Sequence, residues 1–206
     1  MESWKLLSTD GQELAIREFT EDDAPDALDL FEQMAGETDF LLYAEGDAKI
    51  SVSEERKYIA SMRESRNSLF ALAEICGEPA GSAIVHGSRW PRTRHCGTVG
   101  IAVAQVFWGI GVASALMDYV TEWAMKTRFV SKLDLQVRTD NERAIRLYER
   151  KGFVIEGLLT RQMYIDGVYF DHYWMGLTLP DVVPLIPNGT NGKLPNFPGG
   201  RQGELF

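Results

Sequence analysis

Cysteine is scarce in this chain of 206 residues, which contains only Cys76 and Cys96. Two thiols make neither a disulfide scaffold nor a four-ligand metal set. No run approaching twenty apolar residues occurs, so no membrane span is predicted. Residues 1–5 show no basic start leading into an apolar stretch, so we expect no signal peptide and a cytoplasmic location.

Positive charge is also in deficit, with 21 basic against 30 acidic residues and a formal charge of −9. General nucleic-acid binding needs a positive field, so we expect no nucleic-acid partner. An acidic balance is weakly suited to a cationic partner such as an amine. Apolar residues, at 45%, are abundant enough to build a sizeable core.

Composition changes once along the chain, near Leu179. Five of the eight prolines follow that point, which separates a predicted domain, residues 1–179, from a Pro/Gly-rich C-terminal tail, residues 180–206. Strand-like and helix-like patterns alternate within the domain. Strands are predicted over 13–19, 69–75, 80–86, 98–103, 133–137, 154–164 and 169–177, and helices from about 20–22, 53, 112 and 141. This mixture predicts an α/β (α+β) fold with antiparallel and parallel strand pairs and helices on the sheet faces.

The first segment with chemical content runs from Ile101 to Ser114, where a strand leads through a short loop into a glycine-rich helix start. Unpaired amides at a helix N-terminus, beside small residues, form an anion site. The structural alternative is that these glycines only turn the chain. A dinucleotide fingerprint does not fit, because a third glycine is missing and the acidic Asp140 comes too late.

The second segment runs from Asn141 to Phe153. Asn141 is predicted to cap a helix whose apolar stripe includes Tyr148, and Gly152 is predicted to end it. A capped core helix accounts for these residues, but such a helix can also present polar groups to a cleft.

Taken in order, the two segments resemble the GNAT superfamily of acyl-CoA N-acyltransferases. The run from Trp108 to Ala113 is similar to the family motif Gln/Arg-x-x-Gly-x-Gly/Ala, matching at Gly111 and Ala113 and departing at Trp108. Residues 141–153 are similar to Asn-x-x-Ala-x-x-Leu-Tyr-x-x-x-Gly-Phe. Residues 152–175 resemble a ribosomal-protein N-terminal-acetyltransferase-like branch, and the whole resemblance covers about residues 14–177.

This resemblance implies a mixed, mostly antiparallel sheet splayed into a V that binds acetyl-CoA as cosubstrate, with no metal. It implies that Tyr148 is the general acid toward the CoA thiolate in a direct, ternary-complex transfer. It also implies that Asn141 contacts the pantetheine arm or orients a water molecule beside it. The backbone of Ile101, Ala102 and Val103 would pair with that arm. The amides that would hold the pyrophosphate belong to Trp108, Gly109, Ile110, Gly111, Val112, Ala113 and Ser114.

The general base and the acceptor are left open. Relatives often place a glutamate where this chain has Thr98, and the candidates that remain are His86, His95, Glu37, Asp39, Glu45 and Glu74. The expected acceptor is a small-molecule amine, such as an amino acid or a polyamine, or a protein N-terminus, and the expected assembly is a monomer or homodimer. The alternative function is a catalytically silent CoA-binding sensor or interaction module. An NAD-type oxidoreductase would require nicotinamide binding, which we do not expect.

Overall fold

Eight strands form one sheet in the computed structural model, which describes residues 3–47 and 49–179. The strands are β1 (Trp4–Leu7), β2 (Glu13–Glu18), β3 (Leu69–Ile75), β4 (Glu78–Gly87), β5 (Cys96–Val103), β6 (Lys132–Arg138), β7 (Val154–Ile165) and β8 (Val168–Thr178). Their spatial order is β1-β2-β3-β4-β5-β6-β8-β7. Neighbours are antiparallel except β5 and β6, which run parallel. The predicted tail, residues 180–206, lies outside the described residues.

Four helices cover the two faces of the sheet: α1 (Ala24–Glu37), α2 (Val52–Glu64), α3 (Val112–Thr127) and α4 (Glu142–Arg150). Successive side chains of a strand point to opposite faces. In β3, Leu69 and Ala71 belong to the core under α3 and α4, whereas Phe70 and Leu72 belong to the core under α1 and α2. The predicted class, with a mostly antiparallel sheet and helices on both faces, is confirmed.

Local sequence signals account for the ends of α2 and α4. Ser51 and Glu54 form a reciprocal capping box at the start of α2. The Asn141 side chain accepts the Ala144 N–H at 3.1 Å, as its predicted capping role requires. Gly152 adopts a φ of +89° just beyond α4, a conformation that favours glycine.

The strand β1 is missing from the prediction. It is four residues long, and Lys5 and Leu7 are exposed while Trp4 and Leu6 are half-buried. Within residues 3–47 and 49–179 its one strand partner is β2, with Trp4 opposite Ile16. So short an edge strand offers too few alternations for a pattern to be recognised. Across residues 3–47 and 49–179, no helix has the length and apolar content needed to cross a membrane.

Candidate active site

The sheet opens between its two parallel strands. β5 and β6 pair only where residues 96–98 face residues 132–134, although β5 continues to Val103 and β6 to Arg138. At the last pair the Thr98 hydroxyl donates to the Asp134 carboxylate at 2.9 Å, and burial raises the pKa of Asp134. Beyond this point the strands diverge, so the predicted V is present and its closed end is at Thr98.

Main-chain groups of β5 are left facing the gap. The Ala104 N–H donates to the Ala80 carbonyl at 3.0 Å, toward β4. Because successive residues direct their main-chain groups to opposite sides of a strand, Ala102 also faces β4, and Ile101 and Val103 face the gap. The Val103 carbonyl accepts the Trp108 indole N–H at 2.6 Å. The groups left for a ligand are the N–H and C=O of Ile101 and the N–H of Val103.

A cavity of about 640 Å³ fills this gap and continues past the glycine loop and α4. It brings together eleven of the twelve residues proposed from the sequence: Ile101, Ala102, Val103, Trp108, Gly109, Gly111, Val112, Ala113, Ser114, Asn141 and Tyr148. The exception is Ile110, which packs against the core while its carbonyl accepts the Thr9 N–H at 2.9 Å. Two separate sequence segments, residues 101–114 and residues 141–153, therefore converge on one cleft.

The glycine loop presents the N-terminus of α3 to this cavity. Gly109 and Gly111 have φ angles of +87° and +97°, and α3 begins at Val112. The first amides of a helix lack partners within the helix and carry partial positive charge, which favours an anion. The Arg143 guanidinium of α4 lies 4.9 Å from the centroid of the Trp108 ring and also lines the cavity. Sequence analysis did not select Arg143, because only the packing of α4 brings this cation beside the loop.

Tyr148 projects from α4 into the same cavity. Its side chain is buried, and its ring lies 6.0 Å from that of Phe153, centroid to centroid. Among the described residues, its hydroxyl has no hydrogen-bond partner. Burial raises the pKa of Tyr148 to about 12, so the phenol is protonated at neutral pH and can donate a hydrogen bond.

Arg138, at the end of β6, binds the loop that contains Asp39 and Phe40 beside the cavity. Its guanidinium lies between the Phe40 and Phe170 rings, 4.5 and 3.9 Å from their centroids. It also bonds the carboxylates of Asp39 at 2.9 Å and Asp140 at 2.6 Å. These contacts hold the segment around Phe40 against the open end of the sheet.

His172 faces Arg138 from β8 and also lines the cavity. Only 3% of its surface is exposed, and neither ring nitrogen has a hydrogen-bond partner among the described residues. Burial lowers the pKa of His172, and the nearby Arg138 charge lowers it further. His172 lies within a run of aromatic residues and was not among the candidates predicted from the sequence. The alternation along β8 does indicate its orientation, because Tyr173 and Met175 point to one face of the sheet and His172 points to the other.

None of the six candidate bases from the sequence lines the cavity. His86 contacts the Tyr58 hydroxyl at 3.3 Å, and Glu74 pairs with Arg17 on another part of the sheet. Glu37 accepts the Gln105 N–H, and Asp39 is bound to Arg138. Glu45 lies beside Glu32 and Gly36 of α1, outside this cavity, and His95 precedes β5. Across the described residues, no group of three or more His, Cys, Asp and Glu side chains is placed to hold a metal ion.

Comparison with known proteins identifies the fold. Residues 12–153 match the model of the acetyltransferase (GNAT) family. The chain is similar to the crystal structure of a GNAT-family acetyltransferase from Streptococcus pneumoniae, with a TM-score of 0.79 and 32% identity. That match covers 81% of this chain and 99% of the other.

Two curated relatives match shorter stretches. The L-amino acid N-acetyltransferase AaaT of Escherichia coli (strain K12) is 35% identical over 104 residues, which is 50% of this chain and 64% of that protein. The ribosomal protein uS5-alanine N-acetyltransferase of the same organism is 28% identical over 111 residues, 54% of this chain and 55% of that protein. The chain thus spans less than two thirds of the length of either relative.

Proposed function

The chain belongs to the acetyltransferase (GNAT) family, and from that premise we propose that it transfers the acetyl group of acetyl-CoA to a primary amine. The observation that carries the proposal is the gap between β5 and β6. Unpaired main-chain groups of Ile101 and Val103 border this gap, and Tyr148 lines the same cavity. An extended ligand arm can pair with such an exposed strand.

In the proposed complex the pantetheine arm of acetyl-CoA lies along β5, and Asn141 contacts it. The amides of the glycine loop and of the first turn of α3 hold the pyrophosphate. Trp108 stands where the family usually has an arginine or glutamine. Arg143, stacked on the Trp108 ring, supplies positive charge beside that position. A locally positive pocket of this kind binds an anionic cosubstrate although the chain carries a formal charge of −9.

The transfer proceeds in a ternary complex without an acetyl-enzyme. The lone pair of a neutral amine attacks the thioester carbonyl carbon, and a main-chain N–H of Ile101 or Val103 stabilises the developing oxyanion. The C–N bond forms, the C–S bond breaks, and the sulfur takes the electron pair. The Tyr148 hydroxyl donates its proton, or a strong hydrogen bond, to that sulfur as the general acid.

The proposed acceptor is a small-molecule amine or a protein N-terminus. The relatives named above act, by their names, on an L-amino acid and on the alanine of a ribosomal protein. Both acceptors are α-amines. The α-amine of a peptide has a pKa of about 7.7–8.0, which leaves a usable neutral fraction at pH 7.5. A polyamine is the third class to test.

The experiment is a thiol-release assay with acetyl-CoA and three probe amines: L-phenylalanine, spermidine and a peptide with an N-terminal alanine. We expect free CoA to appear in proportion to one acetylated amine, identified by a mass increase of one acetyl group. If calorimetry detects CoA binding and no amine is acetylated, the chain is a CoA-binding module instead. If acetyl-CoA does not bind, the proposed site is wrong.

A further inference from the structure

We infer that His172 is the general base that removes the proton from the attacking amine, directly or through one water molecule. The inference rests on the proposed function and assigns a role that the sequence left without a residue. Three observations carry it: the isolation of the imidazole, its place in the cavity, and the face of the sheet to which it belongs.

The imidazole is buried but unsatisfied. It is 97% shielded from solvent, and neither nitrogen has a partner among the described residues. A buried polar group without a partner destabilises the fold by the cost of its desolvation. Both ring nitrogens are closed to solvent in this structure. Because the side chain lines an open cavity, a small turn of the ring would let a molecule bound there supply the missing hydrogen bond.

The alternation of the strands places His172 opposite Tyr148 across the sheet. β6 and β8 pair so that Val137 faces Tyr173, and both contribute to the core under α3 and α4. Arg138 and His172, the next pair, therefore point to the face covered by α1 and α2. Tyr148 reaches the cavity from the α3 and α4 side. An acetyl group in the gap would have the base on one side and the acid on the other.

This arrangement matches the geometry of the reaction, in which the amine attacks from one side and the sulfur departs on the other. Attack produces a C–N bond with an extra proton on nitrogen. His172 accepts that proton and becomes imidazolium, while the sulfur leaves with the C–S electron pair and accepts a proton or hydrogen bond from Tyr148. Solvent then takes the proton from His172 and supplies a proton to the thiolate, or to Tyr148 where that residue has given up its own, which leaves the amide and CoA thiol as products.

The surroundings of His172 suit a base that is neutral when the amine arrives. The charged groups that face it are Arg138 of β6, Asp140 of the following loop and Asp171 of its own strand. Asp39, on the loop above, is already bound to Arg138. Burial and the Arg138 cation lower the pKa of His172 and outweigh the two aspartates, which raise it. The imidazole is therefore free of its proton at pH 7.

The test compares wild-type protein with His172→Gln and His172→Ala in the acetylation assay, using whichever probe amine the wild type accepts. His95→Gln is the matched control, because His95 precedes β5 and does not line the cavity. We expect His172→Gln to lower kcat/KM about 100-fold or more at pH 7.5, the usual scale of general-base catalysis. Acetyl-CoA affinity should stay within about twofold of the wild type, since the base lies on the acceptor side of the sheet.

Two further readouts separate a base from a packing residue. The kcat/KM profile of the wild type should steepen below an apparent pKa of about 6.5, beyond the slope that protonation of the amine itself produces, and this added slope should vanish in His172→Gln. Added imidazole should restore part of the activity of His172→Ala, because the deletion leaves room beside the cavity. Wild-type turnover that survives His172→Gln, or an added acid slope that the variant retains, overturns this inference alone. If the wild type acetylates none of the three amines, the proposed function fails and the inference falls with it.

Discussion

Replacing Tyr148 with phenylalanine removes one hydroxyl and leaves the ring in place. The ring packs beside Phe153 in the core under α3 and α4, and among the described residues the hydroxyl has no partner to lose. The thermal midpoint should therefore stay within about 2 °C of the wild type, which is no more than the effect of about 1 kcal/mol in a protein of this size. Any change in rate then reports chemistry and not folding.

The size of the rate change follows from the environment of the phenol. Burial raises the pKa of Tyr148 to about 12, whereas a thiol has a pKa of about 8.5. Full transfer of the proton to a thiolate would be uphill by roughly 3.5 pKa units, or about 5 kcal/mol. The hydroxyl therefore acts mainly through a charge-assisted hydrogen bond, worth about 1.5–3 kcal/mol. We expect Tyr148→Phe to lower kcat about 10- to 150-fold.

The assay is initial-rate CoA release at saturating acetyl-CoA, with acetyl-CoA affinity measured separately by calorimetry. Tyr119→Phe is the matched control, because the Tyr119 hydroxyl is also buried without a partner among the described residues but does not line the cavity. That variant should keep the wild-type rate and equal or exceed its thermal midpoint, since an unsatisfied polar group is removed. A loss of less than threefold in Tyr148→Phe, with binding intact, would refute the assigned role.

Four other substitutions probe the cosubstrate site and the fold. Gly111→Ala should lower the thermal midpoint by about 3–8 °C and weaken acetyl-CoA binding, because a φ of +97° strains a non-glycine residue and the Thr9 methyl lies 3.3 Å from the new Cβ. Gly109→Ala has open space around its Cβ and should lower the thermal midpoint less. A larger loss in Gly109→Ala than in Gly111→Ala would contradict the geometry. Arg143→Gln should raise the KM for acetyl-CoA about three- to tenfold at low salt with kcat unchanged, whereas an effect on kcat alone would remove the arginine from the anion site. Burial raises the pKa of Asp23, but hydrogen bonds led by those from Arg17 outweigh it and hold the pKa at about 2, below the unfolded value of about 3.9. The ionised Asp23 carboxylate therefore contributes to the free energy of unfolding fully above about pH 4, and this contribution is lost as the pH falls toward 2. Asp23→Asn should lose less stability than the wild type between about pH 4 and pH 2. If the two proteins lose the same amount, the Arg17–Asp23 ion pair does not cause the acid sensitivity.

The parts of the site that could be predicted are those written in local sequence. The cap at Asn141 and the stop at Gly152 fix the helix that bears Tyr148, and each depends on a few neighbouring residues. The glycine loop is of the same kind, because its backbone angles follow from Gly109 and Gly111. Helix caps and glycine turns depend on neighbouring residues and not on the rest of the fold, so these parts of the site could be predicted from the sequence.

The rest depends on pairings between distant segments. His172 lies in the cavity because β8 pairs with β6 and puts it opposite Arg138, thirty-four positions earlier in the chain. Arg143 reaches the glycine loop only through the packing of α4. The six candidate bases lie outside the cavity. Their residue types alone could not show this, because the position of a residue in the sheet depends on which distant strands pair. The cytoplasmic location, the monomeric or dimeric state and the lack of a nucleic-acid partner stay predictions.

The most direct test of the central claim is a crystal structure of the protein with bound acetyl-CoA. The account predicts the pantetheine arm between β5 and β6, with its amides paired to Ile101 and Val103 and the thioester sulfur within hydrogen-bond reach of the Tyr148 hydroxyl, about 3–3.5 Å away. His172 should face the acetyl carbon from the other side of the sheet. Acetyl-CoA bound elsewhere with this gap empty, or a thioester sulfur turned away from Tyr148, would contradict the account.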